Sequence, residues 1–169
     1  QQKPVRKVSI ESIACEAGVG KSTIYRWWSS KTAVIIDAFL EQDKTTLPFP
    51  ETQTIAESFA AQMSQLVRFF IGDVGRVVAE IIAEGQSDPS ALESFRDRFL
   101  TPRRDAAKEM IVRGIEIGEF DADLDPDLAM DILYGPIYYR LLVQHLPLNE
   151  AFVSALSRRA TACLVATLK

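Results

Sequence analysis

Histidine and cysteine are nearly missing from this sequence of 169 residues: one histidine and two cysteines. His145 has no cysteine near it, and Cys15 and Cys163 stand far apart. That pattern offers neither zinc-ligand spacing nor a disulfide framework. The expectation is two buried free thiols in a reducing compartment, with no metal and no cofactor. Long apolar runs are also lacking. Charge interrupts each one well short of the roughly 20 residues that a membrane crossing takes. The opening QQKPVRKVSI has no apolar core of a secretion signal, so a cytoplasmic protein with no membrane partner is expected. No apolar–polar alternation is long enough to demand a sheet, and no segment repeats. A nucleophile paired with a base is not evident, so no catalytic residue and no enzyme activity are expected.

What is present is helical period and an uneven charge. The composition, 47% hydrophobic and 25% charged, is that of a globular chain. The net charge is −4. Residues 1–31 nevertheless carry Lys3, Arg6, Lys7, Lys21, Arg26 and Lys31 against Glu11 and Glu16, leaving the acids in excess over the remainder. A basic end on an acidic body points to a polyanion met by the N-terminal part alone.

Ser9 has the chemistry of a helix cap, with Glu11 in the first turn behind it. Ile10, Ile13, Ala14 and Ala17 follow as one apolar stripe, and Gly18 ends it. A second short helix runs from Gly20 or Lys21 to about Trp28. Ser30 caps a third, whose Val34, Ile35, Ala38 and Phe39 are expected to face inward. TTLPFPETQT reads as a linker and sets a boundary between residues 1–45 and 50–169. Beyond it, helices are predicted up to Gly72 and up to Gly85. Another starts at Ser87-Asp88-Pro89, is kinked or broken at Pro102 and ends at Gly118. Two more close the chain. The fold class expected is all-α: a helix-turn-helix followed by a helical bundle.

The stretch AGVGKSTIYRWW, residues 17–28, admits two readings. Gly20-Lys21-Ser22 is the tail of a phosphate-binding loop, but that loop needs another glycine where Cys15 stands, and a buried strand ahead of it. The preceding residues have helical period instead. Two short helices joined by a glycine turn make a helix-turn-helix, whose second helix enters the DNA major groove. Lys21, Ser22 and Thr23 fall at the N-terminal positions of that helix. Ile24 and Trp28, four apart, are expected to pack inward. Tyr25 and Arg26 project outward with Trp27 beside them. Arg26 offers a donor fork to a guanine edge or a phosphate, and Lys31 opens the next helix.

Over VSIESIACEAGVGKSTIYRWWSSKTAVIIDAF, residues 8–39, the sequence resembles the TetR family of bacterial transcriptional repressors. The likeness is carried by Ile13-Ala14, Ala17-Gly18-Val19, Ile24-Tyr25, Trp27-Trp28 and Ser30-Lys31. Gly20 stands where the family often has serine, and the tryptophan pair is bulkier than usual. The family has a further helix ahead of Ser9, which the eight residues before Ser9 here do not supply. The resemblance implies a DNA-binding domain on a helical ligand-binding and dimerisation body. It implies that Tyr25 and Lys31 touch phosphates while Lys21 to Thr23 and Trp27 face bases or backbone. The candidate DNA-binding set is Ser9, Lys21, Ser22, Thr23, Tyr25, Arg26, Trp27 and Lys31.

For the body, a pocket for a small apolar or aromatic effector is expected among Met63, Phe70, Ile81, Phe95, Phe99, Met110, Tyr134 and Tyr138. The last two helices carry few charges. A homodimer interface is expected at Ile137, Leu141, Phe152, Leu156, Ala160, Cys163 and Leu164. The function implied is a ligand-released repressor of a palindromic DNA operator. The alternative is a helical dimeric small-molecule-binding or adaptor module without DNA binding.

Overall fold

The computed structural model describes residues 8–28, 30–43 and 49–165, with the backbone alone for 39–43. Among the described residues there are helices and turns and no strand. The chain is all-α, a helix-turn-helix followed by helices that pack as a bundle.

Side-chain caps fix most helix starts. At α1 (Ile10–Ala17), Ser9 Oγ accepts from the Ser12 amide at 3.1 Å, and Ser12 Oγ accepts from the Ser9 amide at 3.2 Å. Gly18 ends it with φ 66, the left-handed cap. Gly20 opens α2 (Lys21–Tyr25) without a side-chain cap. Ser30 Oγ accepts from the Ala33 amide at 3.1 Å and starts α3 (Lys31–Asp43). Thr54 and Glu57 form a reciprocal box at α4 (Ile55–Phe70). Glu119 adds to it, accepting from the Ile55 amide at 2.9 Å and the Ala56 amide at 2.7 Å. There follow α5 (Asp73–Glu84) and α6 (Pro89–Phe95), the latter capped by Asp88 with Pro89 at its first position.

Of the kink or break expected at Pro102, the break does not occur: the helix changes its winding ahead of the proline and carries on. A π-helical turn, Arg96–Leu100, follows α6 and leads without interruption into α7 (Thr101–Glu116). A proline ring crowds the carbonyl four residues back, here Arg98. That carbonyl lies within the widened turn, where the regular α hydrogen-bond spacing is already interrupted. The chain closes with α8 (Pro126–Val143) and α9 (Glu150–Ala162).

The described residues fall into two compact units. One gathers residues from 1–45 and 73–102, the other those from 46–72 and 103–169. The linker near 45–51 is therefore one of three crossings between units, because α3 packs on α6 and the π-turn, and α6 on α5. In the second unit α4 packs on α9 and α8, and α8 on α9. Phe59, Met63, Ile111, Phe120, Met130, Leu133 and Val153 are sealed in its core. Phe120 lies over Gly114, where an added Cβ would stand 2.3 Å from the ring.

Three expectations need correction. Both cysteines are exposed rather than buried. Ala17 is exposed rather than part of the buried stripe. In α3 the buried face is Thr32, Ala33 and Ile36, while Val34 and Ile35 are half-buried and Ala38 is exposed. An unbroken apolar run from Ala33 to Ile36 does not fix the phase of a helix. Phe39 lies outside the described side chains.

Candidate nucleic-acid interface

The helix-turn-helix is held by a small core. Ile10 and Ala14 of α1 meet Ile24 of α2, and Ile13, Trp28 and Val34 pack around them. Ile24, 4% exposed, is the one buried side chain of α2. Everything else on that helix and the turn after it faces out: Lys21, Ser22, Thr23, Tyr25, Arg26 and Trp27 are all exposed. Tyr25 keeps 55% of its surface and Trp27 69%. Leaving two large aromatic rings in water forgoes the burial that would stabilise them by roughly 2 kcal/mol each, which marks this face as one that meets something.

The tryptophan pair divides as the spacing predicts. Trp28 turns in and donates from Nε1 to Asp37 Oδ2 at 2.7 Å, while Trp27 turns out. Lys21 is ion-paired with Glu11 of α1 across the turn. The hydrogen bond from Lys21 holds the Glu11 carboxyl below its usual range. Ser9 spends its hydroxyl on the α1 cap. Lys31 is half-buried, and its ammonium is held by Glu84 of α5 at 2.9 Å. It is thus the one basic residue of the candidate set turned onto a partner from a distant stretch of chain. Sequence reasoning did not find Asp37, Glu84, Ser94 or Arg98, which gather behind this face. Asp37 and Arg98 are 61 positions apart, and no local pattern links them.

The candidate effector residues separate. Ile81, Phe95 and Phe99 are buried in the first unit, with the Phe95 and Phe99 rings stacked at 5.2 Å. Met63 and Phe70 are buried in the second unit, where Met110, Tyr134 and Tyr138 are half-buried. There Tyr134 Oη donates to Gln62 Oε1 at 2.8 Å, and the Tyr138 ring meets Phe70 edge-on at 5.5 Å. Burial pushes the Tyr138 phenol up to about 12 and raises that of Tyr134 as well. Arg103 is shifted down by its own burial.

The expected dimer stripe is largely turned inward. Ile137, Leu141, Ala160 and Leu164 are buried within the protomer, and Phe152 and Leu156 are half-buried. Of that set only Cys163 is exposed. The stripe records burial against α4 and the facing helix of the α8–α9 pair, since an apolar period marks a buried face without naming what covers it. Leu128, Tyr139, Leu142, Val143 and Leu146 of α8 and the turn after it are exposed instead. Among the described residues no helix is long and apolar enough to cross a membrane.

Comparison with known proteins places matches over both parts of the chain. The profile described as "Bacterial regulatory proteins, tetR family" matches residues 1–38. The profile "Tetracyclin repressor-like, C-terminal domain" matches residues 49–160. The HTH-type transcriptional regulator YdeS of Bacillus subtilis (strain 168), itself uncharacterized, is 39% identical over 159 residues, 94% of this chain and 80% of its own length. The crystal structure of the TetR family transcription regulator SCO0332 superposes with a TM-score of 0.82 at 29% identity, covering 96% of this chain and 90% of the other. FadR from Bacillus subtilis, solved in complex with stearoyl-CoA, shares the fold at a TM-score of 0.63 and 22% identity, over 98% of this chain and 91% of its own.

Proposed function

Since this chain belongs to the TetR family of bacterial transcriptional regulators, a family of DNA-binding proteins, we propose that it is a cytoplasmic repressor. It grips a palindromic operator as a homodimer and releases it when a small apolar or aromatic effector binds. The observation that carries this reading is the exposed face of α2, where Lys21, Ser22, Thr23, Tyr25, Arg26 and Trp27 surround a single buried anchor, Ile24.

Each residue has a role set by its chemistry. Lys21, Ser22 and Thr23 stand at the N-terminal end of α2, the end that reaches base edges when such a helix lies in the major groove. Lys21 exchanges Glu11 for the nucleic acid as it docks. Arg26 reads a guanine edge or holds a phosphate with its donor fork. Tyr25 and Trp27 lie against the sugar-phosphate backbone. Two such helices, one per protomer, sit about 34–36 Å apart to meet successive major-groove segments.

The dimer forms through the outward side of α8 and α9. Leu128, Gly135, Tyr139 and Leu142 recur along one exposed line of α8, and Ala155 and Ala162 on α9 are small and exposed, which lets helices approach closely. The effector is held among the aromatic and methionine side chains of the body, with Tyr134 and Tyr138 as its polar handles. DNA and effector then oppose each other through a reciprocal coupling of about 1–3 kcal/mol.

Selection of duplexes from a randomised pool by the full chain tests this. A palindromic site with steep inverse salt dependence is expected, because phosphate contacts release counterions. Lys21→Ala and Arg26→Ala should each weaken binding to that site by about 1–3 kcal/mol. Binding unchanged in both variants would remove α2 as the reading element. Leu142→Glu should yield a monomer by sedimentation, and a persistent dimer would place the interface elsewhere.

A further inference from the structure

We infer that Arg98, in the π-turn, is a positioning residue for the recognition helix, acting through Asp37 on the indole of Trp28. This rests on α2 being the DNA-facing helix. Trp28 Nε1 donates to Asp37 Oδ2 at 2.7 Å, and Arg98 Nη1 donates to that same oxygen at 2.5 Å. Trp28 stands three residues past the last residue of α2, its amide bonded to the Ile24 carbonyl at 3.0 Å. Its ring packs on the small core of Ile10, Ala14 and Ile24.

Each link requires the next. A half-buried indole N–H needs an acceptor, and Asp37 is that acceptor. Asp37 Oδ2 takes both donors, and the Arg98 guanidinium, ion-paired with it in direct contact, fixes where that oxygen stands. The seat of the Trp28 ring, and with it the tilt of α2, therefore depends on a guanidinium 61 positions beyond Asp37. Two other bonds tie down the neighbouring stretch: Ser30 Oγ with Ser94 Oγ at 3.1 Å, and Lys31 with Glu84 at 2.9 Å. Those secure the start of α3 and leave Trp28 to Asp37.

The location of Arg98 makes this more than a tether. A π-turn holds one residue more than an α-turn. Its return to α spacing would rotate the side chains on one side of it by about 100° relative to the other. Arg98 is in the middle of that turn, on a helix that continues into α7. A return of that turn to α spacing would carry the Arg98 guanidinium off Asp37.

Two measurements on the full chain test it. The first needs no DNA. With the two indole resonances assigned through Trp27→Phe, Arg98→Met should shift the Trp28 Nε1 proton and speed its exchange about tenfold, leaving Trp27 unmoved. The second uses the duplex recovered from the randomised pool. Arg98→Met should weaken binding about tenfold with an unchanged salt slope, because the relay spends the Arg98 guanidinium on Asp37 and not on a phosphate. In a Trp28→Phe background the same change should cost less than about threefold, the non-additivity expected of residues in one hydrogen-bonded chain. If Arg98→Met does not fold, Arg98→Gln is read by the same two measurements. An unmoved Trp28 resonance, or equal losses in both backgrounds, overturns the relay. Failure of α2 as the reading element has a separate signature, unchanged binding in Lys21→Ala and Arg26→Ala, and the indole measurement decides the relay regardless.

Discussion

The helix-turn-helix and the second unit bury their apolar side chains on different scales. Between α1 and α2 three residues are buried, Ile10, Ala14 and Ile24, inside a ring of half-buried neighbours. The second unit encloses Phe59, Met63, Phe120, Ile111 and Leu133 at full depth, drawn from α4, α7, α8 and the turn after α7. A large shared core spreads the loss of one side chain over many neighbours, whereas a three-residue core has nothing to redistribute. The element that meets DNA should therefore open locally before the body does.

The comparison can be broken most forcefully at Phe120. Phe120→Ala removes a ring packed over Gly114 and should cost the second unit about 3–5 kcal/mol, read as a lower urea midpoint in near-UV circular dichroism. Ile24→Ala should cost the helix-turn-helix about 2–3 kcal/mol, the low end for such a truncation because the site is shallow. Operator binding should be lost while the near-UV transition of the body stays within error of the parent. One shared transition, shifted equally by both variants, would show that the two regions unfold together and that the contrast is false.

Smaller effects sharpen it. Gly18→Ala places a side chain at φ 66 with open space around its Cβ, so backbone strain alone should act. About 1 kcal/mol of lost stability is expected, seen as weaker operator binding with little change in the body. Alkaline pH should strike the opposite region. Burial raises the Tyr134 and Tyr138 phenols, the latter to about 12, so the folded state favours their neutral forms. That stability is fully present below pH 10, the ordinary phenol value, and is lost as pH rises from there towards 12. Their phenolate absorbance should emerge only as the near-UV signal of the body disappears. Reversible ionisation of both at pH 10 with the fold intact would sink this.

Much of the fold was legible because helix ends are written locally. Ser9, Gly18, Ser30 and Asp88-Pro89 each act within a turn of where they stand, and the division of Trp27 from Trp28 follows from their spacing. The misreadings share a different cause. The π-turn, the buried face of α3 and the α9 stripe all depend on which distant segment lies opposite. Ile137, Leu141, Ala160 and Leu164 were correctly apolar yet assigned to the wrong neighbour, since a period gives a face and not a partner. The site shows the same split. The exposed ridge of α2 is visible in twelve consecutive residues, but the carboxylates behind it, Asp37 for Trp28 and Glu84 for Lys31, are not.

The turn after α7 concentrates two functions in adjacent residues. The carboxylate of Glu119 holds the first two amides of α4, and Phe120, next in the chain, stoppers the interior above Gly114. A single proteolytic nick between Gly118 and Glu119 would thus unlatch a helix start and uncork the bundle in one event. Resistance to cleavage at that exposed glycine is a direct gauge of how tightly the body is shut.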